Sequence, residues 1–484
     1  MSQVCTIPVP NNVYMNHANS RENLIRTMRN RVLTYKGTQP ITPSPEGKAV
    51  LDSLVHLYHD EKPEKVYPLS EEAFLSHYTG RKLARYSEAF QWLRERPLTE
   101  KDAKVSTFIK NEKFDFLAKG HDADPRAIQP RKPVYLASVG LWFKPLEGII
   151  YKDMARKFGS TGPIVAKGLN AEQTATCLHN KWTKFSDPVC VSLDASRFDL
   201  HVSQEVLEFT HKIYDGYCRD QRLRTYLKWT LVNRGTASCS DTAYKYEVKG
   251  RRMSGDMDTA LGNCLIMTVL TWYMLKHQFK IDKFEILNNG DDCLFIIERP
   301  DEPSPKQLQD FYRQFGFVVR LEGTVSVFER IEFCQTQPVW RGDTWVMMRQ
   351  PRSFAKDICN VNPGGAPYLE WLRAVAVCGG VLTDGMPIGP AFYDLLFRSG
   401  SVGRIQRSVF WECGMTHMMK GMKRVERPVL TETRLSYERA FGISVSRQLA
   451  LEELYRSMDR IDNNTIHQWP TKLREAYASG VEFG

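Results

Sequence analysis

The stretch EILNNGDDCLFII, residues 285–297, decides how this chain is read. Asn289-Gly290 between two apolar runs is a strong hairpin signal. Ile286, Leu287, Leu294, Phe295, Ile296 and Ile297 leave no polar face, so both strands are expected to be buried. A Gly-Asp-Asp triplet alone arises by chance in about one chain in ten of this length and then reads as a polar turn. Here the turn caps buried strands. That holds the Asp291 and Asp292 carboxylates at the rim of a core, where losing water is costly.

Upstream, an apolar run at residues 189–193 ends in Asp194 and opens the pattern Asp194-Ala195-Ser196-Arg197-Phe198-Asp199. If this strand lies beside the hairpin, the carboxylates of Asp194 and Asp291 meet. Two such charges about 4 Å apart repel by roughly 4 kcal/mol at an effective dielectric of about 20. A protein accepts this with a cation or a shifted pKa. All-oxygen donors suit Mg²⁺, which takes one or two carboxylates and completes its shell with substrate phosphates. Two ions about 3.5–4 Å apart activate a hydroxyl and stabilise a leaving pyrophosphate, which is the chemistry of nucleotidyl transfer.

A third pattern, SGDMDTALGN at residues 254–263, sits at a strand-to-helix junction. Building RNA requires sensing a ribose 2′-hydroxyl, which both donates and accepts. Asp199 accepts, and Ser254 and Asn263 do either. Taken singly, Ser254 and Thr259 read as helix caps, Asn263 as a satisfied core amide and Asp199 as a solvated carboxylate. Gly255 gives the junction backbone freedom to approach a template or nucleotide.

Composition sets the frame. The 484 residues carry a formal charge of +10, with 42% hydrophobic and 25% charged residues. This excludes a largely disordered chain, a collagen and a coiled-coil rod. The basic surplus points to a polyanionic partner, nucleic acid before anionic membrane. It is concentrated between Arg81 and Lys132, where 13 basic residues face 8 acidic ones. Lys110, Lys113, Arg126, Arg131 and Lys132 lie there, and arginine forks suit phosphates. The proline-marked segment 126–131 reads as a strand or loop with guanidiniums along one side. A second cluster, Lys420, Lys423, Arg424 and Arg427, either holds RNA backbone or is merely exposed. The 11 cysteines contain no C-x-x-C pair and fit a reduced, intracellular compartment. Cys264 and Cys293 read as small core hydrophobes. The first residues lack the pattern of a signal peptide. The longest charge-free apolar stretch, residues 259–275, reads as a buried core helix rather than a span.

The coarse order is helical, then mixed, then helical, an α+β chain. Short helices joined by loops are expected in the N-terminal third, with Ser70 and Thr99 as caps. Ser203 opens a helix, and Tyr244, Tyr246 and Val248 alternate as a strand. Ser304 to Gln307 is a capping box for a helix that Gly316 ends. Residues 332–339 and 345–349 read as two strands.

Together the three acidic patterns resemble motifs A, B and C of viral RNA-dependent RNA polymerases, in wording closest to the tombusvirus and carmovirus-like plus-strand RNA viruses. Residues 110–113 with Arg126 and Arg131 resemble the basic motif F, the helix from Pro305 falls where motif D belongs, and Glu332-Phe333-Cys334-Gln335 resembles motif E. The firm resemblance covers residues 110–340.

The resemblance implies a right-hand polymerase of fingers, palm (an antiparallel sheet backed by helices) and thumb. Its expected divisions are residues 1–185 for fingers and N-terminal extension, 186–350 for palm with a fingers insertion about 205–250, and 351–484 for a mostly helical thumb. It implies Mg²⁺, with Mn²⁺ as substitute, at Asp194 and Asp291, with Asp292 assisting. It implies ribonucleotide selection by Asp199, Ser254, Gly255, Thr259 and Asn263, and contact with nucleotide phosphates or template by Lys110, Lys113, Arg126, Arg131 and Lys132. Motif E supports the growing 3′ end. Motif D offers a basic general acid, for which Lys306, Arg313 and Arg320 compete. Asp258 stands where relatives usually have Asn and adds a charge near the nucleotide. Unprimed initiation is the family expectation, with Trp411 or Tyr455 as a candidate stacking platform. The expected partners are RNA template and product, nucleoside triphosphates and a viral auxiliary protein. That protein would lead the chain to host membranes in the cytoplasm. Relatives often carry a membrane-targeting region upstream, and none is read here. Oligomeric state is left open. The competing functions are a reverse transcriptase, which needs an aromatic steric gate where Asp199 stands, and a catalytically inactive RNA-binding palm.

Overall fold

The strand Pro188–Ala195 has alternate side chains in two different hydrophobic cores. Val189, Val191 and Leu193 enter one, and Cys190 enters the other. Adjacent side chains on a strand point to opposite faces, so an unbroken apolar run marks a strand covered on both sides. The computed structural model describes residues 2–4, 14–59, 63–115, 123–360, 367–401, 415–460 and 466–468. We number the elements used below in chain order. The strands are β1 (Val105–Ile109), β2 (Ala127–Ile128), β3 (Pro188–Ala195), β4 (Val232–Ser238), β5 (Ala243–Lys249), β6 (Phe284–Asn288), β7 (Asp292–Glu298), β8 (Val319–Val325), β9 (Thr336–Trp340) and β10 (Trp345–Arg349). The helices are α1 (Pro133–Lys157), α2 (Ala171–Trp182), α3 (Gln204–Cys218), α4 (Thr259–Tyr273), α5 (Pro305–Arg313), α6 (Tyr368–Leu382), α7 (Gly389–Ser399), α8 (Thr431–Phe441) and α9 (Val445–Ser457).

The central sheet is antiparallel throughout, in the order β8-β3-β7-β6. Helices α1, α3, α4 and α5 pack on one face. They contribute Leu146, Ile150, Val206, Ile213, Leu265, Val269 and Phe311 to the core shared with Phe295 and Ile297. The other face, with Leu294 and Ile296, meets α2, the hairpin β9-β10 and the helices α6 and α7. A second sheet, β2-β1-β4-β5, pairs β1 parallel to β4 and encloses a small core with Leu24, Met28 and Met253.

Helix α4 is buried at every position from Leu261 to Thr271. A helix apolar all round belongs inside a core. No described helix is long and apolar enough to cross a membrane. Ser70, Ser203 and Ser304 cap their helices as their spacing predicts. Cys264 and Cys293 are free and buried.

Two expectations need correction. The N-terminal third is not only short helices, because α1 runs for 25 residues through Pro145. An internal proline costs about 3 kcal/mol. Here buried Trp142, Phe143, Leu146, Ile150 and Met154 supply packing that offsets it. The strand expected from residue 332 starts only at Thr336. Cys334 and Gln335 have φ of 53° and 60°, so they form a tight turn and cannot continue an extended strand.

Candidate active site

The register of the central sheet sets Asp292 directly opposite Asp194. Antiparallel partners lie about 4.5–5.5 Å apart at Cα and share a face. Asp291 precedes Asp292 in the turn and is exposed. The turn is held by Asn288, whose Nδ2 donates to the Gly290 and Asp292 carbonyls at 2.9 and 3.2 Å, while its Oδ1 accepts from Gly290 N–H at 2.9 Å. Gly290 has φ of +105°, which only glycine adopts without strain. Burial, then the neighbouring Asp291, raises the Asp292 pKa, and Asp194 adds to the rise. Negative charge is therefore in excess at these strand ends.

Among the described residues no three His, Cys, Asp or Glu side chains form a preassembled metal cage. Mg²⁺ is held by one or two carboxylates with water and phosphate oxygens completing its shell. The oxygen-only donors and their mutual repulsion fit such a cation.

Beside the carboxylates lies a second pair. Asn263 Nδ2, from α4, donates to Asp199 Oδ1 at 2.9 Å. Asn263 Oδ1 is buried and accepts no hydrogen bond from the described residues. Burial pushes the Asp199 pKa up to about 6, against the bond from Asn263 and with help from Asp291. Asp199 follows a turn in which Arg197 has φ of 51°. Arg197 anchors that turn, donating to Asn30 O at 2.5 Å and pairing with Asp124.

The other selection candidates are engaged by the chain itself. Thr259 Oγ1 donates to the carbonyls of Met253 and Asp256, both at 2.9 Å. Ser254 Oγ donates to Ala127 O at 3.2 Å. Gly255 approaches the backbone of Pro130, where a Cβ would lie 2.5 Å from the proline Cα. The close approach expected toward a template or nucleotide is made to this chain's own β2–α1 connection. Asp258 pairs with buried Arg252 at 2.6 Å, so its extra charge is neutralised within the protein.

The basic candidates divide. Arg126 is exposed and Arg131 is 2% exposed, so guanidiniums do not line one side of this segment. An odd separation on extended backbone sends two side chains to opposite faces. Arg131 grips Asp256 with two bonds of 2.5 and 3.0 Å, and also bonds the Ala103 carbonyl at 2.6 Å and Asn233 at 2.5 Å. Burial opposes its charge, and Asp256 more than restores it, so its pKa rises. Lys113 Nζ donates to Lys356 O at 2.8 Å and lies 4.9 Å from the Trp371 ring centre on α6. Arg126, Lys110 and Lys132 keep substantial solvent exposure, with Glu112 and Asp102 as neighbours. If Arg126 holds a single-stranded RNA phosphate, as the resemblance implies, Arg126→Ala is expected to lower the salt slope of RNA binding by about 0.7. Lys113→Ala should leave that slope unchanged and lower the thermal midpoint. Filter binding over a salt series, with a melting curve for each variant, checks both.

Arg320 on β8 is the register partner of Asp194 from the other side. Lys306 pairs with Asp310 on the outer helix α5. Arg424 and Arg427 pair with Asp394 and Asp384, and Tyr455 is 1% exposed and packs in a core. Trp411 lies outside the described residues. Of two further residues near the carboxylates, Lys167 escaped the sequence reading and Cys334 entered it only within the run that resembles motif E. Lys167, exposed on the loop beside β6, acts on Asp292 through its charge. Its only sequence signal is the turn-rich TGPIVAKGLN run. Cys334 Sγ accepts from Asn289 Nδ2 at 2.9 Å. Burial, then Asp292, pushes its thiol pKa up, so it stays protonated.

Comparison with known proteins gives a consistent result. A family model described as viral RNA dependent RNA polymerase matches residues 2–462. The chain is 40% identical to the RNA-directed RNA polymerase of Tobacco necrosis virus (strain A), over 91% of this chain and 61% of that protein. It is 39% identical to that of Groundnut rosette virus (strain MC1), over 96% and 55%. It is 34% identical to that of Turnip crinkle virus, over 95% and 59%. The chain thus spans about half the length of the curated relatives it matches. Its fold resembles the Sicinivirus 3Dpol RNA dependent RNA polymerase, with TM-score 0.60 and 17% identity over 92% of this chain and 94% of that one.

Proposed function

The chain belongs to the viral RNA-dependent RNA polymerases, and from that premise we propose that it performs template-directed ribonucleotidyl transfer in copying a plus-strand viral genome. The observation that carries this reading is the register of Asp194 against Asp292, with the Asp199–Asn263 pair beside it. RNA template and product and nucleoside triphosphates are the corresponding partners.

Asp194 and Asp291, with Asp292 assisting, would hold Mg²⁺, or Mn²⁺ in its place. When bound, the metal supplies charge to lower the pKa of an attacking hydroxyl and to neutralise pyrophosphate. The chain's own side chains do the rest. Asp199 and the unfilled Asn263 Oδ1 accept from ribose hydroxyls. Arg126, Lys110 and Lys132 attract the triphosphate or template. Arg320, set opposite Asp194, is the basic group we assign nearest the leaving pyrophosphate. Arginine keeps its proton at any working pH, so it would stabilise charge there rather than donate a proton. Arg131, Thr259 and Gly255 shape the loop before α4.

We assign residues 1–185 to fingers and N-terminal extension, 186–350 to palm with a fingers insertion about 205–250, and 351–484 to a mostly helical thumb, supported by the central sheet falling wholly within the second segment and by the pairing of β4 with β1. An auxiliary viral protein, and through it a cytoplasmic host membrane, is a further partner that the resemblance supports.

The test is a homopolymer-template assay with rNTPs and Mg²⁺, primer present or absent. Metal-dependent incorporation is expected. Preference for dNTPs would make the chain a reverse transcriptase, and RNA binding without incorporation would leave only a scaffold. Asn263→Ala is expected to narrow the preference for rNTP over dNTP by about tenfold or more, the worth of a hydrogen bond involving a charged group. A competition assay reads the ratio, and an unchanged ratio would take this pair out of ribose recognition.

A further inference from the structure

Arg251 and Arg252 lie against residues 199–202. Arg251 N–H donates to Val202 O at 2.6 Å, and Arg252 N–H donates to Asp199 O at 2.9 Å. The Arg252 side chain then runs inward and is 1% exposed. Its Nη1 donates to Asp258 Oδ2 at 2.6 Å, and the Tyr214 hydroxyl of α3 donates to the same oxygen at 3.3 Å. Its Nε and Nη2 are buried and donate to none of the described residues. Nη2 rests on Gly262 in the first turn of α4, where any Cβ would collide with it. A buried ion pair is weak evidence for stability, and well-packed apolar residues of the same volume often serve a core as well or better. Stability alone therefore does not explain an arginine here.

The contacts join two parts of the site. Asp258 O accepts from Gly262 N–H at 2.7 Å, and the next residue, Asn263, donates back to Asp199 Oδ1 at 2.9 Å. The bonds form a closed circuit that runs from the Asp199 backbone through Arg252, Asp258, the start of α4 and Asn263 to the Asp199 carboxylate. Arg252 touches both ends of it, Asp199 through its backbone and α4 through its guanidinium. A planar fork suits this task, because it fixes direction as well as distance. A small slide or rotation of α4 would take Asn263 Nδ2 off Asp199 and move its open Oδ1. We propose that Arg252 is a positioning residue for ribose selection. It seats the first turn of α4 on the Asp199 backbone, so that Asp199 and Asn263 present their acceptors to the ribose as one unit. The proposal rests on the polymerase reading above and on the assignment of this pair to the ribose.

The test uses the full chain and reads the ratio of kcat/KM for rNTP over dNTP, which a merely structural ion pair would not move. Arg252→Met with Asp258→Leu removes both buried charges together and should stay folded in a melting curve. Its ratio is expected to narrow by about fivefold, less than for Asn263→Ala, because the pair is loosened rather than removed. RNA affinity should stay within about twofold, since no group facing the backbone phosphates is changed. Arg252→Lys keeps a charge for Asp258 without the fork and should narrow the ratio by about threefold. In the Asn263→Ala background neither change should narrow the ratio further. Two results overturn the proposal: a wild-type ratio in the folded double variant, or a narrowing that recurs in full in the Asn263→Ala background. Should the double variant fail to fold, Arg252→Lys is judged by the same two results. A narrowed ratio for Asn263→Ala beside unchanged Arg252 variants removes only the role of Arg252. An unchanged ratio for Asn263→Ala, or a wild-type chain that incorporates no ribonucleotide, overturns the ribose or the polymerase reading itself, and the role of Arg252 with it.

Discussion

Asp194→Ala is expected to lower ribonucleotide incorporation by at least about a thousandfold, equivalent to roughly 4 kcal/mol of transition-state stabilisation. The residue is the penultimate one of β3 and faces Asp292 across the ladder. Removing it takes away one of the carboxylates proposed to hold the cation against the reacting oxygens. Asp292→Ala should act in the same direction, because the register makes the two a unit, and combining them should add little. RNA affinity should hardly change, since the basic groups that attract the backbone lie elsewhere and a negative charge beside RNA is being removed. Single-turnover incorporation together with filter binding separates the two effects. An Asp194→Ala chain that extends RNA at a rate near wild type would remove this pair from the chemistry.

Arg131→Met is expected to destabilise the fold by about 3–5 kcal/mol, because it leaves a buried carboxylate without its partner. Arg131 is fully enclosed and satisfies Asp256, Asn233 and the Ala103 carbonyl together. These groups come from three separated parts of the chain, so the loss should loosen the loop before α4 as well as lower the thermal midpoint. The double variant Arg131→Met with Asp256→Leu removes both charges and should recover much of the stability. A reader of phosphates would behave otherwise, giving a folded chain with weaker RNA binding and a smaller salt slope. Melting curves and a salt series on both variants distinguish the two roles.

What was legible in the sequence is what local pattern encodes. The hairpin around Asn289-Gly290 and the run ending in Asp194 declared themselves by apolar strands closed by carboxylates, but the sequence set Asp194 beside Asp291 and the register sets it opposite Asp292. The serine caps were equally local. The partnerships were not. Arg131 looked like its neighbour Arg126, and only Asp256, far along the chain, draws it inside. Lys113 looked like a phosphate ligand, and its partners Lys356 and Trp371 belong to the C-terminal third. Cys334 and Gln335 carry none of the glycine or asparagine that usually announces a left-handed turn, so a continuous strand was the natural reading. Helix α1 was hidden by Pro145, whose cost is offset by packing that composition cannot reveal.

The alternation of β3 between two cores bears on how the molecule comes apart. Val191 and Leu193 cannot leave one core without drawing Cys190 from the other, and β7 couples them again through Phe295 and Leu294. Neither side can melt while its neighbour stays intact, because they share one wall. Unfolding is therefore cooperative across the sheet, and loosening begins elsewhere, in peripheral helices and loops with fewer buried neighbours. The paired carboxylates sit at the end of the last element to open, so their spacing should outlast much of the surrounding structure under heat or denaturant.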